Sequence, residues 1–305
     1  MKHFDLCIAW NWEYDAEFMQ LLNQFCLSHH LSILHITPEN LDSMLEALNR
    51  QEISFGVFFD RASEDDECFM PFVRWALEHS FFYINRHERA SRSWNKAAMH
   101  YELINAGIYT PYTIVLPSYE EQPLISEINT EPLGESFILK PVHGSGGEDV
   151  FMDVTSSDQV GELRKKYPDR SFLVQKYIVP LELDNRPAWF RVLYCKESVY
   201  TCWWHPETHI YIPVDPADEI RFGLMPLNSI TKTIAEITGL DVFSTEIAYT
   251  AENLFVAVDY VNDQPDLRMQ ASAQDGVPDF IVHDIAERLG GLVLDQVNSL
   301  NGKNH

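Results

Sequence analysis

The hydrophobic pattern of the first ninety residues switches between two periods. Short apolar runs at 4–9, 31–36, 55–59 and 81–84 read as strands. Between them, 15–29 (with Phe18, Leu21, Leu22 and Phe25), 41–48 and 68–77 place apolar residues at helical spacing. Strands alternating with helices of this length predict βαβ units around a parallel sheet. Such sheets hold ligands at the carboxyl ends of their strands. That singles out Trp10, Asn11, Asp60 and Arg61 as a candidate substrate crevice.

Beyond residue 91 the pattern changes. Residues 92–106 read as one helix stopped by Gly107, 110–116 as a strand, and 118–135 as a loop with a short helix. Next come a strand, a glycine loop, a strand, a helix over 158–166 and a strand over 171–178, which together predict a small α+β unit. A hairpin follows at 190–194 and 199–204, then an irregular proline-containing stretch and a helix near 228–238. Strands around 243–249 and 254–260 and a helix over 279–297 close the chain, with a frayed tail from Gly302. The boundaries expected are 1–91, 92–117, 118–180 and 181–305.

The most chemical stretch of the chain is Phe137-Ile-Leu-Lys-Pro-Val-His-Gly-Ser-Gly-Gly-Glu-Asp-Val150. A strand carries Lys140 into a loop with Gly144, Gly146 and Gly147. Glycines let backbone N–H groups approach an oxyanion, and a lysine beside them adds a point charge. This suits a polyphosphate. The P-loop pattern needs its lysine after the glycines, and the dinucleotide fingerprint needs a helix opening on the last one. Neither holds here.

Composition narrows the choices. The chain has 305 residues, 46% of them hydrophobic, enough for a sizeable buried core. No apolar run approaches the roughly 18 residues of a membrane span, and the N-terminal stretch, which carries Asp5 and reads as a first strand, is not expected to be a signal peptide. Five scattered cysteines without a C-x-x-C pair point to a reducing cytoplasm. Cys195, Cys202, His205 and His209 have an unusual spacing for zinc and lie on a strand-like segment, so no zinc is expected. With 22 Lys+Arg against 46 Asp+Glu the formal charge is −24. Such a surface repels nucleic acid and anionic lipid, so a phosphorylated ligand needs a local basic pocket.

Four further segments join the glycine loop. Asn95-Lys-Ala-Ala-Met99 opens a helix; Phe172-Leu-Val-Gln-Lys-Tyr-Ile-Val-Pro180 is a strand ending in polar residues. Trp189-Phe-Arg-Val-Leu-Tyr194 puts Arg191 on a hairpin. Ser244-Thr-Glu-Ile-Ala248 and Val256-Ala-Val-Asp-Tyr-Val-Asn262 bear Glu246, Asp259 and Asn262 on paired strands. In this order they resemble the ATP-grasp superfamily of carboxylate–amine ligases, the type that includes D-alanine–D-alanine ligase, glutathione synthetase and ribosomal-protein glutamate ligase. The resemblance covers about residues 92–290. It implies a mixed α/β and α+β chain: an ATP-grasp fold preceded by a Rossmann-like pre-ATP-grasp domain, with 118–180 as a lid and 181–305 as the catalytic part.

The resemblance also implies roles. Lys96 and Lys140 would bind the α- and β-phosphates, with Gly144, Ser145, Gly146 and Gly147 closing over the triphosphate. Gln175, Lys176, Tyr177 and Ile178 would form the hinge strand at the adenine edge, and Glu182 or Asp184 would take the ribose. Arg191 would face the γ-phosphate. Apart from the resemblance, Arg268, just beyond the metal strands, is a candidate carboxylate clamp because a guanidinium can bind bidentately. Glu246, Asp259 and Asn262 would hold magnesium, or manganese in its place. Magnesium prefers hard oxygen ligands shared with phosphate, and two adjacent antiparallel strands can supply them.

Two departures stand out. The acid at 259 is short and one extra residue precedes Asn262, which leaves Asp263 open as the third ligand. Trp189 stands where many relatives carry an acid. Residues 203–212 match no family pattern and are where substrate choice is expected to lie. The implied activity joins a small-molecule or peptide carboxylate to an amine through an acyl phosphate, releasing ADP and phosphate. A kinase on the same fold and a non-catalytic nucleotide-binding subunit are the alternatives; a homodimer is left open.

Overall fold

The computed structural model describes residues 1–125, 128–144 and 149–302. Among the sequence candidates, Ser145, Gly146 and Gly147 lie outside the described residues. The first sheet is parallel, in the order β2 (Ile33–Ile36), β1 (Lys2–Trp10), β3 (Ile53–Arg61), β4 (Phe82–Ile84). Its inner strands are almost continuously apolar because helices cover both faces. One face takes α2 (Leu41–Asn49) and α3 (Met70–His79). The other takes α1 (Ala16–Ser28) and the closing helix α9 (Asp279–Gly302). Gly290 lets α9 settle on α1, since a Cβ there would lie 2.2 Å from Phe25 Cδ1.

The expected single helix over 92–106 is two. α4 (His87–Trp94) and α5 (Lys96–Asn105) break at Asn95, which is extended (φ −79°, ψ 92°). The Asn95 side chain accepts from Ala98 N at 2.9 Å, capping α5 and starting it at Lys96.

The second sheet is antiparallel, ordered β5 (Thr113–Leu116), β8 (Phe172–Lys176), β6 (Phe137–Pro141), β7 (Phe151–Val154), with α6 (Ser157–Lys166) packed on it. A short ribbon, β9 (Glu182–Leu183) and β10 (Arg186–Pro187), leads to the third sheet. Here β11 (Trp189–Cys195) and β12 (Ser198–Trp204) form the expected hairpin, turning at Lys196 and Glu197, both with positive φ. The full order is β13 (Tyr211–Pro213), β12, β11, β14 (Val242–Tyr249), β15 (Phe255–Asn262).

The stretch expected to be irregular contains α7 (Pro216–Phe222). Asp215 caps it, Pro216 opens it and Gly223 ends it in the left-handed region, so short-range signals override the weak periodicity. α8 (Pro226–Thr238) follows. One apolar core runs from β1, β3 and α1 through α9 into β11 and β12, so the first and third sheets share an interior. Among the described residues no helix is long and apolar enough to cross a membrane.

Candidate active site

The third sheet lines up three charged side chains by register. Arg191 on β11 faces Glu246 on β14, and Glu246 faces Asp259 on β15. Arg191 Nη1 donates to Glu246 Oε1 at 2.5 Å, and its Nη2 donates to Ser244 Oγ at 3.2 Å. Trp189 Nε1 donates to the other Glu246 oxygen at 3.1 Å. The residue that departs from the family pattern thus orients a candidate metal ligand.

The extra residue before Asn262 is absorbed by a bulge. β14 advances two residues, from Ser244 to Glu246, while β15 advances three, from Asn262 back to Asp259. Asn262 therefore lies opposite Ser244, on the face of Glu246 and Asp259. Asp263 goes elsewhere. It is buried and accepts from Trp94 Nε1 at 2.9 Å, and burial pushes its carboxyl up to about 6. Beside it lies Glu64, an acid that sequence patterns did not single out, pushed up to about 8 by burial first and by Asp263 next.

These residues fit a divalent cation. Burial raises the Glu246 carboxyl, Arg191 opposes the rise, and the charge of Asp259 adds to it. The Asp259 carboxylate has no hydrogen-bonded partner among the described residues, where no group of three His, Cys, Asp or Glu side chains is placed to cage a metal. Two carboxylates and one amide oxygen, completed by phosphate and water, are magnesium chemistry.

The two lysines sit where the second sheet meets the third. Lys140 is buried on β6 and donates to Val258 O at 3.1 Å, with its ammonium 5.2 Å from the Tyr260 ring. Burial lowers its pKa; Asp259 and Glu246 oppose that, while Lys96 adds to it. Lys96, the first residue of α5, donates through Nζ to Gly144 O, and Gly144 adopts φ +137°, a conformation open to glycine.

Tyr260 ties the lysine region to the hinge strand. Its hydroxyl accepts from Gln175 Nε2 at 2.7 Å and bonds His100 Nδ1 at 2.8 Å. Gln175 also donates to Thr113 Oγ1 at 2.9 Å. So the Gln175 side chain holds β5, β8 and β15 together. In the exposed turn that follows, no backbone hydrogen bond involves Tyr177, Ile178 or Val179 among the described residues. Burial and the nearby Lys140 lower the His100 pKa to about 4. A depressed histidine pKa stabilises the fold above the unfolded value, and that contribution fades as pH falls through the interval down to the folded value. We expect the stability difference between wild type and His100→Gln to shrink between about pH 6.5 and pH 4, measured by urea unfolding across that range.

The other candidates disperse. Asp184 sits in the turn of the β9–β10 ribbon and forms a two-point ion pair with Arg221, while Glu182 is exposed on β9. Arg268 donates to Asp266 at 2.7 Å and to Asp275 at 2.9 Å, so a substrate carboxylate would have to displace them. Arg61 is buried against Asp15 and also reaches Pro265 O at 3.1 Å; Asp60 is engaged by Ser63 and Tyr83. Cys195 and Cys202 are free and buried in the core.

Neither a protein-family model nor a curated protein matches the sequence. Solved structures do. A RimK domain ATP-grasp protein from Sphaerobacter thermophilus aligns with a TM-score of 0.64 at 18% identity, over 94% of this chain and 99% of that one. D-alanine–D-alanine ligase from Bacillus anthracis, complexed with ATP, gives 0.65 at 12% identity over the whole of both chains. The chain has the ATP-grasp fold. A further ATP-grasp structure, the ligase PsnB with a minimal precursor, magnesium and ADP, gives 0.61 at 12% identity, over 96% of this chain and 98% of that one.

Proposed function

We propose that this ATP-grasp chain is an ATP-dependent carboxylate–amine ligase. The observation that carries the reading is the Arg191–Glu246–Asp259 row, flanked by Lys140 where the second and third sheets meet. It concentrates cations and hard anionic ligands at one seam of a protein whose net charge is −24. The site has no need of a protein nucleophile, because phosphoryl transfer asks mainly for positioning and charge neutralisation.

In this reading the triphosphate lies along Lys96 and Lys140, and the adenine edge meets the backbone of residues 176–178. Residues 118–180 act as the lid. Glu182 is the better placed ribose ligand, since Asp184 is held by Arg221. Glu246, Asp259 and Asn262 would hold magnesium, which neutralises phosphate charge when bound. Arg191 keeps its proton at all working pH. Burial opposes its charge, but Tyr211, Glu246, Asp259 and Asp266 outweigh that and raise its pKa. It is therefore a permanent cation for the migrating phosphoryl group and the later tetrahedral oxyanion.

A substrate carboxylate oxygen attacks the γ-phosphorus and ADP departs with the electron pair of the broken P–O bond. The amine nitrogen then attacks the acyl carbon, phosphate leaves and the amine proton is released. PsnB, crystallised with its precursor, extends the acceptors worth testing to peptides. Coupled release of ADP and inorganic phosphate that requires both a carboxylate and an amine, with an amide product by mass spectrometry, is the expected result. Phosphate retained on a product would convert the reading to a kinase. ATP binding without turnover on any acid–amine pair would convert it to a binding subunit.

A further inference from the structure

Residues 203–212, which match no family pattern, run along the third sheet beside the candidate site, and register fixes where they face. Arg191 is paired with Cys202, and Cys202 with Pro213. Trp204 and Tyr211, paired with each other, stand two residues along from Cys202 and Pro213, on the same face. Across such a pair the Cα atoms lie about 4.5–5.5 Å apart. The Arg191 guanidinium reaches over Trp204, 5.5 Å from its ring centre. Trp204 in turn stacks flat on His209 at 5.2 Å and 3°, which fixes the ring that stands between Arg191 and Tyr211.

Two polar groups here lack partners. The terminal nitrogens of Arg191 are engaged by Glu246 and Ser244, whereas its Nε is buried and bonds nothing among the described residues. Tyr211 is only 6% exposed, and Gln270 Nε2 donates to its backbone carbonyl at 2.7 Å. Its hydroxyl makes no hydrogen bond among the described residues. Unmet donors in a buried place are rare, because leaving one unpaired is costly. Burial raises the Tyr211 hydroxyl to about 12, and Arg191 is the largest charge acting against that rise. The hydroxyl therefore keeps its proton at neutral pH. It can donate, but it is no base.

We propose that Tyr211 is a further catalytic residue, its hydroxyl donating beside Arg191 to the acyl oxygen of the activated substrate. The inference rests on the ligase reading and deepens it by assigning the seat of the acyl group. When the amine nitrogen bonds the acyl carbon, the carbonyl π pair moves onto that oxygen. The pair returns as the carbon–oxygen bond to phosphate breaks, and the amine proton is released. Tyr211 keeps its own proton throughout. A donor already in place where negative charge develops lowers the barrier, because nothing has to reorganise around the charge.

The test uses two stable phosphonates. Acetylphosphonate carries the carbonyl of an acyl phosphate, and ethylphosphonate has a methylene in its place. Each is titrated by calorimetry into the full chain with magnesium and ADP, in wild type and in Tyr211→Phe. Wild type is expected to prefer acetylphosphonate about tenfold, and the variant to lose about fivefold of that preference, the scale of one hydrogen bond. Affinity for ADP with magnesium and the urea midpoint should stay near wild type, because the deleted hydroxyl bonds nothing within the protein. A purely structural role would not move the ratio of the two ligands. A preference that survives in Tyr211→Phe overturns the proposal. So does a large fall in the urea midpoint, which would mean that the hydroxyl is bonded within the fold. Wild type that holds both phosphonates without telling them apart sinks this inference alone. Wild type that holds neither, or that fails to hold ADP with magnesium, sinks the ligase reading itself.

Discussion

Asp259→Asn is expected to lower turnover by roughly a hundredfold or more while ATP affinity changes only a few-fold. The substitution keeps the size of the side chain and removes one formal charge and one hard ligand. The lysines that face the triphosphate are untouched, so ground-state binding survives. Charge in the transition state goes uncompensated, so the chemical step suffers. Activity titrated against magnesium separates the cases: a right-shifted curve with a low plateau supports the assignment, and wild-type behaviour removes it. The bulge in β15 adds an internal control. It sets Asn262 on the face of Glu246 and Asp259, and leaves Asp263 on Trp94. Asp263→Asn should therefore leave the magnesium dependence intact.

Lys140→Ala is expected to weaken ATP binding by roughly ten- to a hundredfold, the scale of one charge-assisted hydrogen bond in a water-poor site. Lys140 has already lost most of its hydration, and burial lowers its pKa. Phosphate oxygens replace solvation that the fold has removed, which makes the contact stronger than one from a surface lysine. Equilibrium binding of a fluorescent ATP analogue measures the loss. Unchanged affinity with normal unfolding would show that the triphosphate does not pass along β6.

Much of the fold could be read from the chain, because its strongest signals are local. The two-sided burial of β1 and β3 left continuous apolar runs, and the Lys196–Glu197 turn separated two alternating strands. What escaped was set by capping or by partners remote in sequence. Asn95 splits a helix whose apolar spacing looked unbroken. Asp215, Pro216 and Gly223 fix α7 with little help from periodicity. In the site, Lys140, Arg191, Glu246 and Asp259 converge through β-register that no short motif encodes. Trp189 and Tyr260 went unassigned because their roles consist of hydrogen bonds across 57 and 85 residues, to Glu246 and Gln175. Asn262, ambiguous by counting residues, lies opposite Ser244 because of the bulge.

Arg61 fastens the first sheet to the loop that leaves the third. Its guanidinium grips Asp15, at the start of α1, and Pro265 O, just past Asn262, while a single core runs beneath both. Separating these elements would break the Arg61 contacts and expose apolar surface of the shared core, which opposes motion between them. On the ligase reading, opening and closing would fall to the second sheet, which Lys140 and Gln175 join to the third through polar contacts. Nucleotide exchange would then be a matter of hinge motion at one wall. On that reading cosubstrates would meet a wall that stays still, and would be discriminated before closure begins.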